Sequence, residues 1–561
     1  MGVQVISGFP ATTGDDYQLN TISVLRHACA VYPEVEVASR RDDGSIFRYT
    51  YLEAYQRVCR LANALEKLGV RPGDRVGVMD WNTYRHFELY MAVSGIGAVM
   101  LQMNPRLAPD DIAYVVGHSE ARFIFVAESL LPVIEAVAPK VKTVEGFIVI
   151  TDKAPGTVGT TLSPLSSYEE LLGLEPPDYP WRMIDEKSAY SACYTSGTTG
   201  KPKGVYYSHR SVYLHTSALV MAFNICASDV LLQMVPMFHA QGWGFWLSGP
   251  MTGAKLVFSG RYTLDSTGGL VDLIVSEKAT VTAGAPALFM PMLHYVRTMP
   301  QKPDFSGLRI ASGATEPPLA MMREFYELCK AEFIHAYGAT ETSPVVTVNR
   351  LKPSLQSWPK EKQWENQKKQ GLPVAGAEIR ICNPDGTETV HDGQTVGEVL
   401  IRGPWIASSY YNDSRTADCF RDGYWVSGDA GTIDQHGYIK ITDRVKDMIK
   451  SGGEWISSID LENAIMAHPG VLEASVVGLP HPKWQERPVA LVVLREQAKD
   501  KTTREDILEF IGSKFARWQL PDDVLFVDSI PKTSVGKFSK KTMREMYADF
   551  FKSKGLVTRD S

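Results

Sequence analysis

The densest run of chemistry-capable side chains is Tyr194-Thr195-Ser196-Gly197-Thr198-Thr199-Gly200-Lys201-Pro202-Lys203-Gly204. Glycines let a backbone turn tightly enough for several N–H groups to converge on one anion. The Ser and Thr hydroxyls add donors and the lysines add positive charge, so the string reads as a phosphate cradle. Its spacing is not that of a P-loop. Gly197 and Gly200 are too close, and Pro202 follows the lysine where Ser or Thr would meet magnesium. A polar surface turn is the alternative for such a loop taken alone.

The string is similar to the phosphate loop of the adenylate-forming superfamily, which comprises acyl-CoA synthetases, luciferases and the adenylation domains of peptide synthetases. Other strings resemble the rest of that family's motifs, in its order. Ser312-Gly313-Ala314-Thr315-Glu316-Pro317 resembles its adenine-side loop, and Tyr337-Gly338-Ala339-Thr340-Glu341-Thr342 its second nucleotide motif. Tyr424-Trp425-Val426-Ser427-Gly428-Asp429 resembles the ribose segment. Asp443-Arg444-Val445-Lys446-Asp447 resembles the interdomain hinge, and Pro531-Lys532-Thr533-Ser534-Val535-Gly536-Lys537 the catalytic lysine loop.

The resemblance implies a role for each matched residue. Thr195, Ser196, Gly197, Thr198, Thr199, Gly200 and Lys201 would hold the phosphates. Gly313, Ala314, Thr315, Glu316, His335, Ala336, Tyr337, Gly338 and Thr340 would surround the nucleotide, with Tyr337 stacked on adenine. Asp429 has two acceptor oxygens suited to a ribose diol, and Arg444 can reach the same sugar. Glu341 and Thr195 would hold Mg²⁺ through hard oxygens. Lys537 would be the catalytic residue. Attack of a carboxylate on the α-phosphate of ATP builds negative charge that a positioned ammonium stabilises.

Within the superfamily the fatty acyl-CoA synthetase branch fits. The segment Pro236-Met237-Phe238-His239-Ala240-Gln241-Gly242-Trp243 lacks the aspartate with which peptide-synthetase domains grip an amine. Met234, Val235, Phe238, Trp243, Phe245 and Trp246 offer an apolar lining for an aliphatic acid, with ordinary core as the other reading. His239, Trp243 and Gly338 are the implied acyl-pocket residues, Trp243 as gate. Gly452, Gly453 and Glu454 would line the path for CoA. Lys450 and Trp455 would lie near the nucleotide, with Lys446 as pivot. A rotation there would withdraw Lys537 and admit the thiol. Two departures stand out: Ser427 replaces a common Thr, and Ala336 a frequent Gly.

The implied reaction joins a carboxylic acid, ATP and CoA into acyl-CoA, AMP and pyrophosphate. The expected acid is a medium- or long-chain fatty acid. The alternatives are a short functionalised acid such as methylthiopropionate, a luciferase-like oxygenase, and a non-catalytic adenylate sensor. Retention of Lys537, Glu341 and Asp429 speaks against the last. No carrier domain is expected after Lys537.

The elements that must position these residues are βαβ-like. Leu52, Tyr55, Val58, Ala62 and Leu65 fall at helical spacing before a capping Gly69. Strands are expected at 75–79, 98–101, 121–127, 147–151, 254–259 and 280–283, and a helix at 83–93. Uniformly apolar strands of this kind build parallel sheets. The polar tract 353–370 reads as an exposed helix or loop. Short β pieces follow at 397–402 and 438–441. Beyond them lie helices at 459–467 and 504–515 and strands at 473–478 and 489–494. The fold class is α/β. A large multi-layer N-terminal domain, of parallel-sheet αβ subdomains and a small β-barrel-like part, precedes a small mobile α+β C-terminal domain. The boundaries are 1–442, a hinge at 443–448, and 449–561.

Composition excludes other classes. The 561 residues carry 58 Lys and Arg against 64 Asp and Glu, a net charge of -6, so no cationic field points to nucleic acid. Most of the charges in the basic stretch Lys537, Lys540, Lys541 and Arg544 read as a solvated helix face. The seven cysteines are scattered without a Cys-x-x-Cys, which fits a reducing compartment. Met91–Met103 is too short and too interrupted to span a bilayer, and neither a leader nor a myristoylation signal is apparent. A cytoplasmic protein without an integral membrane segment is expected. Its partners are the carboxylic acid, ATP and CoA; the branch includes dimers, so a homodimer is one of the states left open.

Overall fold

The computed structural model describes residues 5–553 apart from 15, 155, 174, 196–200, 384, 453, 500 and 532–537, and of Glu454 the backbone. The chain divides into two compact units. One comprises residues 1–379 with 401–425, and the other 380–400 with 426–561.

The first unit holds two large sheets. A seven-stranded sheet runs Leu165–Ser167, Gly146–Ile150, Ala121–Ala127, Arg75–Met79, Val99–Gln102, Ala189–Thr195 and Lys203–Ser208, parallel except for the last pair. A nine-stranded sheet has a parallel centre made of Glu332–Gly338, Arg309–Ser312, Val281–Gly284, Val230–Gln233, Lys255–Phe258 and Glu36–Arg40. Antiparallel strands close both of its edges. Parallel strands covered on both faces bury most of their side chains, hence their largely apolar sequences. In each sheet the functional strings begin where parallel strands end, the usual place for ligands in such folds.

The helix Tyr51–Lys67 starts at a capping box between Thr50 and Glu53, worth about 1 kcal/mol. Gly69 ends it with φ +89°. Its buried stripe is Tyr51, Ala54, Val58, Leu61, Ala62 and Leu65, whereas Leu52 is exposed, one position off the stripe expected from spacing. The helix Tyr84–Gly95 is buried on all sides, charges included. Glu88 is held there by Arg57 at 2.7 Å and by the Tyr168 hydroxyl at 2.7 Å. The apolar stretch Met91–Met103 is the end of this helix, a turn at Gly97 and the strand Val99–Gln102. No helix among the described residues is long and apolar enough to cross a membrane.

The polar tract 353–370 forms a turn at Pro353–Leu355 and the helix Lys360–Gln367. It is exposed only in part: Asn366 and Gln370 are buried, and the Asn349 amide donates to the carbonyls of Asn366 and Lys369 at 2.7 Å each.

The second unit is built around strands Val471–His481 and Gln485–Leu494, a long antiparallel pair, with Asp523–Phe526 parallel to the latter. Side chains alternate across the sheet. Val476, Ala490 and Val492 pack with Leu461, Ile465, Ile507 and Ile511 on one face, and Val477, Leu479 and Leu491 with Ile530, Met543 and Phe551 on the other. In the same unit, Asp429 of Tyr424–Ile433 stands opposite Arg444 of Ile439–Arg444.

The basic run after residue 537 departs from a solvated face. Lys540 packs against Glu462 at 2.9 Å, and Arg544 pairs with Asp447, whereas Lys541 is exposed as expected. Glu462, which is buried, and Asp447, which is partly so, supply the partners that a solvated face would lack.

Candidate active site

Thr195 ends its strand opposite Lys203. Ser196, Gly197, Thr198, Thr199 and Gly200 lie outside the described residues. The Thr195 hydroxyl is buried and has no hydrogen-bond partner among the described residues. The two lysines of the string lie on aromatic faces, Lys201 at 4.8 Å from the Tyr114 ring centre and Lys203 at 4.0 Å from that of Tyr410. Tyr410 in turn donates its hydroxyl to Glu341 at 2.6 Å. Burial, then the Glu341 charge, raises the Tyr410 pKa, so the phenol stays protonated and donates. The Glu341 carbonyl accepts from Ala407 N–H at 2.8 Å, and the Thr340 carbonyl from the Tyr207 hydroxyl at 2.7 Å. Tyr207 and Tyr410 thus fix the residues around Glu341, yet neither lies in a motif. The only signal for Tyr207 was its position in the strand that follows the phosphate string.

The adenine-side loop leaves its strand beside the second nucleotide motif, with Ser312 in register with His335. The Gly313 N–H donates to the Gly284 carbonyl at 3.2 Å. A β-carbon on Gly313 would fall 2.7 Å from the Ala336 carbonyl oxygen and 2.9 Å from Trp243, so this approach admits only glycine. Ala314 takes φ +70° and is exposed together with Thr315. Glu316 reaches Lys368 at 3.8 Å. His335 is buried, and its Nδ1 lies 2.7 Å from the Lys368 carbonyl, so Nδ1–H donates. Burial pushes its pKa down to about 4, so the ring is neutral and tied to the Lys368 carbonyl. Tyr337 and Gly338 emerge at the strand end, where a β-carbon on Gly338 would collide with the Pro344 carbonyl.

His239 and Thr340 line one small cavity, of about 20 Å³, with Gln102, Cys193, Phe238 and Ala240. Trp243 sits in a turn in which Ala240, Gln241, Gly242, Trp243 and Gly244 all have positive φ, from 40° to 80°. Left-handed backbone costs roughly 1–2 kcal/mol per non-glycine residue. Buried hydrogen bonds hold the turn: the Gln233 amide donates to the Gly242 carbonyl at 3.0 Å, and the Trp246 indole to that of Gln241 at 3.0 Å. The apolar lining expected around it is mostly core. Trp246 stacks on Tyr90 at 4.4 Å, Phe245 packs edge-on against Phe223, and Met234 joins the core on the other side of the sheet.

In the second unit Arg444 Nε bonds Asp429 Oδ1 at 2.9 Å, so the two residues expected at a ribose are brought together. The Ser427 hydroxyl accepts from Asp429 N–H at 3.0 Å and donates to the Val399 carbonyl, work that a Thr hydroxyl could also do. Lys446 is exposed, and partial desolvation of its ammonium lowers its pKa. Lys450 faces Trp455 across a hairpin with its ammonium 4.8 Å from the ring. Gly452 takes φ +62°, and its N–H donates to the Trp484 carbonyl at 2.9 Å. Gly453 and Lys537 lie outside the described residues, and Glu454 is placed as backbone in the strand Glu454–Ile456.

Residues 25–411 match the family described as AMP-binding enzyme, and residues 460–537 its C-terminal domain. The chain is 42% identical to the long-chain-fatty-acid–CoA ligase of Thermus thermophilus, covering 97% of this chain and 98% of that one. It is 38% identical to the 3-methylmercaptopropionyl-CoA ligase of Ruegeria lacuscaerulensis, covering 94% and 97%. An anthranilate CoA ligase solved with anthranoyl-AMP shares the fold with a TM-score of 0.82 at 23% identity, over 97% of this chain and all of that one. The chain therefore belongs to the AMP-binding, adenylate-forming enzymes, and within them is an AMP-forming acyl-CoA ligase.

Proposed function

We propose that this ligase activates a medium- or long-chain fatty acid through an acyl-adenylate. A carboxylate oxygen attacks the α-phosphorus of ATP, the bond to the β-phosphate breaks, and pyrophosphate leaves. The CoA thiol then gives up its proton and attacks the acyl carbonyl, and AMP leaves with the electron pair of the broken C–O bond. The observation that carries the choice of acid is the setting of His239 and Trp243. The segment 234–246 contains no acidic side chain, and the cavity beside His239 has Met103, Leu107, Ile112, Val115 and Phe238 in its lining, with Gln102, Asn104 and Thr340 as uncharged polar neighbours. Such a surface favours an alkyl chain over a charged or amino acid. The 42% identity to a long-chain ligase supports the same reading.

In this reading residues 195–201 receive the phosphates, and residues 313–316 with 335–340 border the base. Asp429 and Arg444 take the ribose, with Lys446, Lys450 and Trp455 beside the nucleotide. Gly452, Gly453 and Glu454 line the route of the thiol. Lys537 neutralises the non-bridging oxygens as the α-phosphorus becomes five-coordinate. Among the described residues no trio of His, Cys, Asp or Glu converges on one point. Thr195 and Glu341 nonetheless fit Mg²⁺, which usually takes one or two protein oxygens alongside substrate phosphates. The orphaned Thr195 hydroxyl and the Tyr410-oriented carboxylate are such oxygens. Bound there, the ion would offset phosphate charge.

A second reading is a short thioether acid, favoured by the 38% identity to a 3-methylmercaptopropionyl-CoA ligase. The test is CoA-dependent AMP release with straight-chain acids from acetate to palmitate and with 3-methylthiopropionate. We expect the highest kcat/KM at about eight carbons or more, because each buried CH₂ adds about 0.8 kcal/mol. A maximum at the thioether acid would replace the fatty-acid reading.

A further inference from the structure

The Lys540 side chain is only 12% exposed without belonging to any recognised part of the site. Its ammonium lies 2.9 Å from Glu462 and donates to the Ser458 hydroxyl, which donates to Asp443. Asp443 also accepts from the Ser458 N–H at 2.8 Å. Glu462 is held by the Val476 N–H at 2.8 Å and the Ser475 hydroxyl at 2.9 Å. One helical turn on, Arg544 donates to Asp447 and to the Lys446 carbonyl, the latter at 3.2 Å. Two cations four residues apart on the helix Lys540–Met546 therefore engage two acids four residues apart in the segment 443–447, Lys540 through Ser458 and Arg544 directly.

That helix begins at a loop stem. The Ser539 N–H donates to the Pro531 carbonyl at 2.8 Å, and Ile530 and Met543 are buried in one core. The segment gripped at the other end contains Arg444, whose carbonyl accepts from the N–H groups of Asp447 and Met448 at 2.8 and 2.9 Å. Replacing a buried ion pair by apolar groups is often neutral or stabilising, so stability alone is a poor reason for placing charges here.

We propose that Lys540 and Arg544 are positioning residues, which clamp the stem of the lysine loop at a set separation from Arg444. One nucleotide can then be met at its ribose by Arg444 and at its α-phosphate by Lys537. This rests on the roles given to Lys537 and Arg444 above. The clamp acts on adenylation; thioester formation from a preformed acyl-adenylate, for which the rotation withdraws Lys537, does not use that ammonium and does not need the clamp.

The test separates the half-reactions in the full-length enzyme: acid-dependent ATP–pyrophosphate exchange, and acyl-CoA formation from synthetic acyl-AMP. The variants are Lys540→Met combined with Glu462→Gln, so that no carboxylate is left buried and unpaired; Arg544→Met, on the more accessible end; and Lys540→Arg. We expect exchange kcat to fall about tenfold or more in the first two while KM for ATP and the thioester half-reaction stay within about threefold, with Lys540→Arg recovering most of the loss. Equal losses in both half-reactions, or unchanged exchange in Arg544→Met, would overturn the clamp. Lys537→Ala is measured alongside. Loss of exchange there with normal clamp variants rejects only the clamp, whereas normal exchange in Lys537→Ala rejects the underlying reading as well.

Discussion

The indole of Trp243 occupies the space that a side chain on Gly313 would need: a β-carbon there would stand 2.9 Å from Cη2 and 3.3 Å from Cζ3. The turn assigned to the acid and the loop assigned to adenine are therefore in direct contact. Neither can change without the other, because the Ala336 carbonyl closes the same gap at 2.7 Å. The left-handed backbone from Ala240 to Gly244 delivers the indole to this position.

Gly313→Ala should push Trp243 out of its seat. The expected result is a drop of about tenfold in kcat/KM for the acid, comparable to the cost of about 1–3 kcal/mol for overpacking. Trp243→Ala should relieve part of that drop in the double variant, the share due to the indole, while the Ala336 carbonyl still crowds the new methyl; by itself it should broaden chain-length tolerance. Acid profiles of the two single variants and the double check this; additive losses would mean that the contact is irrelevant to the acid.

Tyr410→Phe removes the hydroxyl that orients Glu341 and leaves the aromatic face for Lys203. The Mg²⁺ concentration for half-maximal activity should rise by about tenfold, the usual scale for an outer-shell partner of a metal ligand. Glu341→Gln should raise it further. Titrating Mg²⁺ at saturating ATP decides; an unmoved midpoint in both variants would remove Glu341 from the metal.

Lys537→Ala should abolish ATP–pyrophosphate exchange by a factor of about a thousand, in the range for loss of one transition-state charge partner. Acyl-CoA formation from supplied acyl-AMP should stay within about threefold of the parent. Equal losses in both half-reactions would contradict the role given to this residue.

Acid should unfold the first unit through its histidines. His86, His209, His215 and His335 are buried, and burial pushes their pKa values down to about 4, 4, 3 and 4. Below the ordinary value near 6.5 the unfolded chain takes up protons that the folded chain refuses. Stability is thus full above that pH and falls toward pH 4, by about 1.4 kcal/mol per pH unit for each ring. Asp80, raised by burial to about 6, works in the opposite sense below that pH and offsets one of the four. His215→Gln can keep an acceptor for the Val345 N–H, now met by the ring at 3.1 Å, and should remove one share of the acid slope. Urea unfolding at pH 7 and pH 5 should show the variant losing about 2 kcal/mol less than the parent over that interval.

Much of the architecture was legible because parallel strands and capped helices leave local marks. The strands Arg75–Met79, Ala121–Ala127 and Gly397–Arg402 stand where their apolar runs begin and end. Gly69 ends its helix with a positive φ, as its place after the apolar period expects. Leu52 was misplaced because a first-turn residue can match the period yet lie beside the stripe. Of the aromatic cluster, sequence could not say that Trp243 meets the nucleotide-side loop while Trp246, three residues on, stacks on Tyr90 in the core.

By itself the sequence determined the glycine- and hydroxyl-rich strings, the order in which they come, and the absence of an acid near His239, since these are properties of residue type and short spacing. Tertiary structure alone decided that Tyr410 steadies Glu341 across 69 residues and that Lys540 packs on Glu462 rather than being solvated. The physical reason is that a hydrogen bond or ion pair depends on where two distant segments are brought by the packing of sheets and helices, and no local period records that meeting.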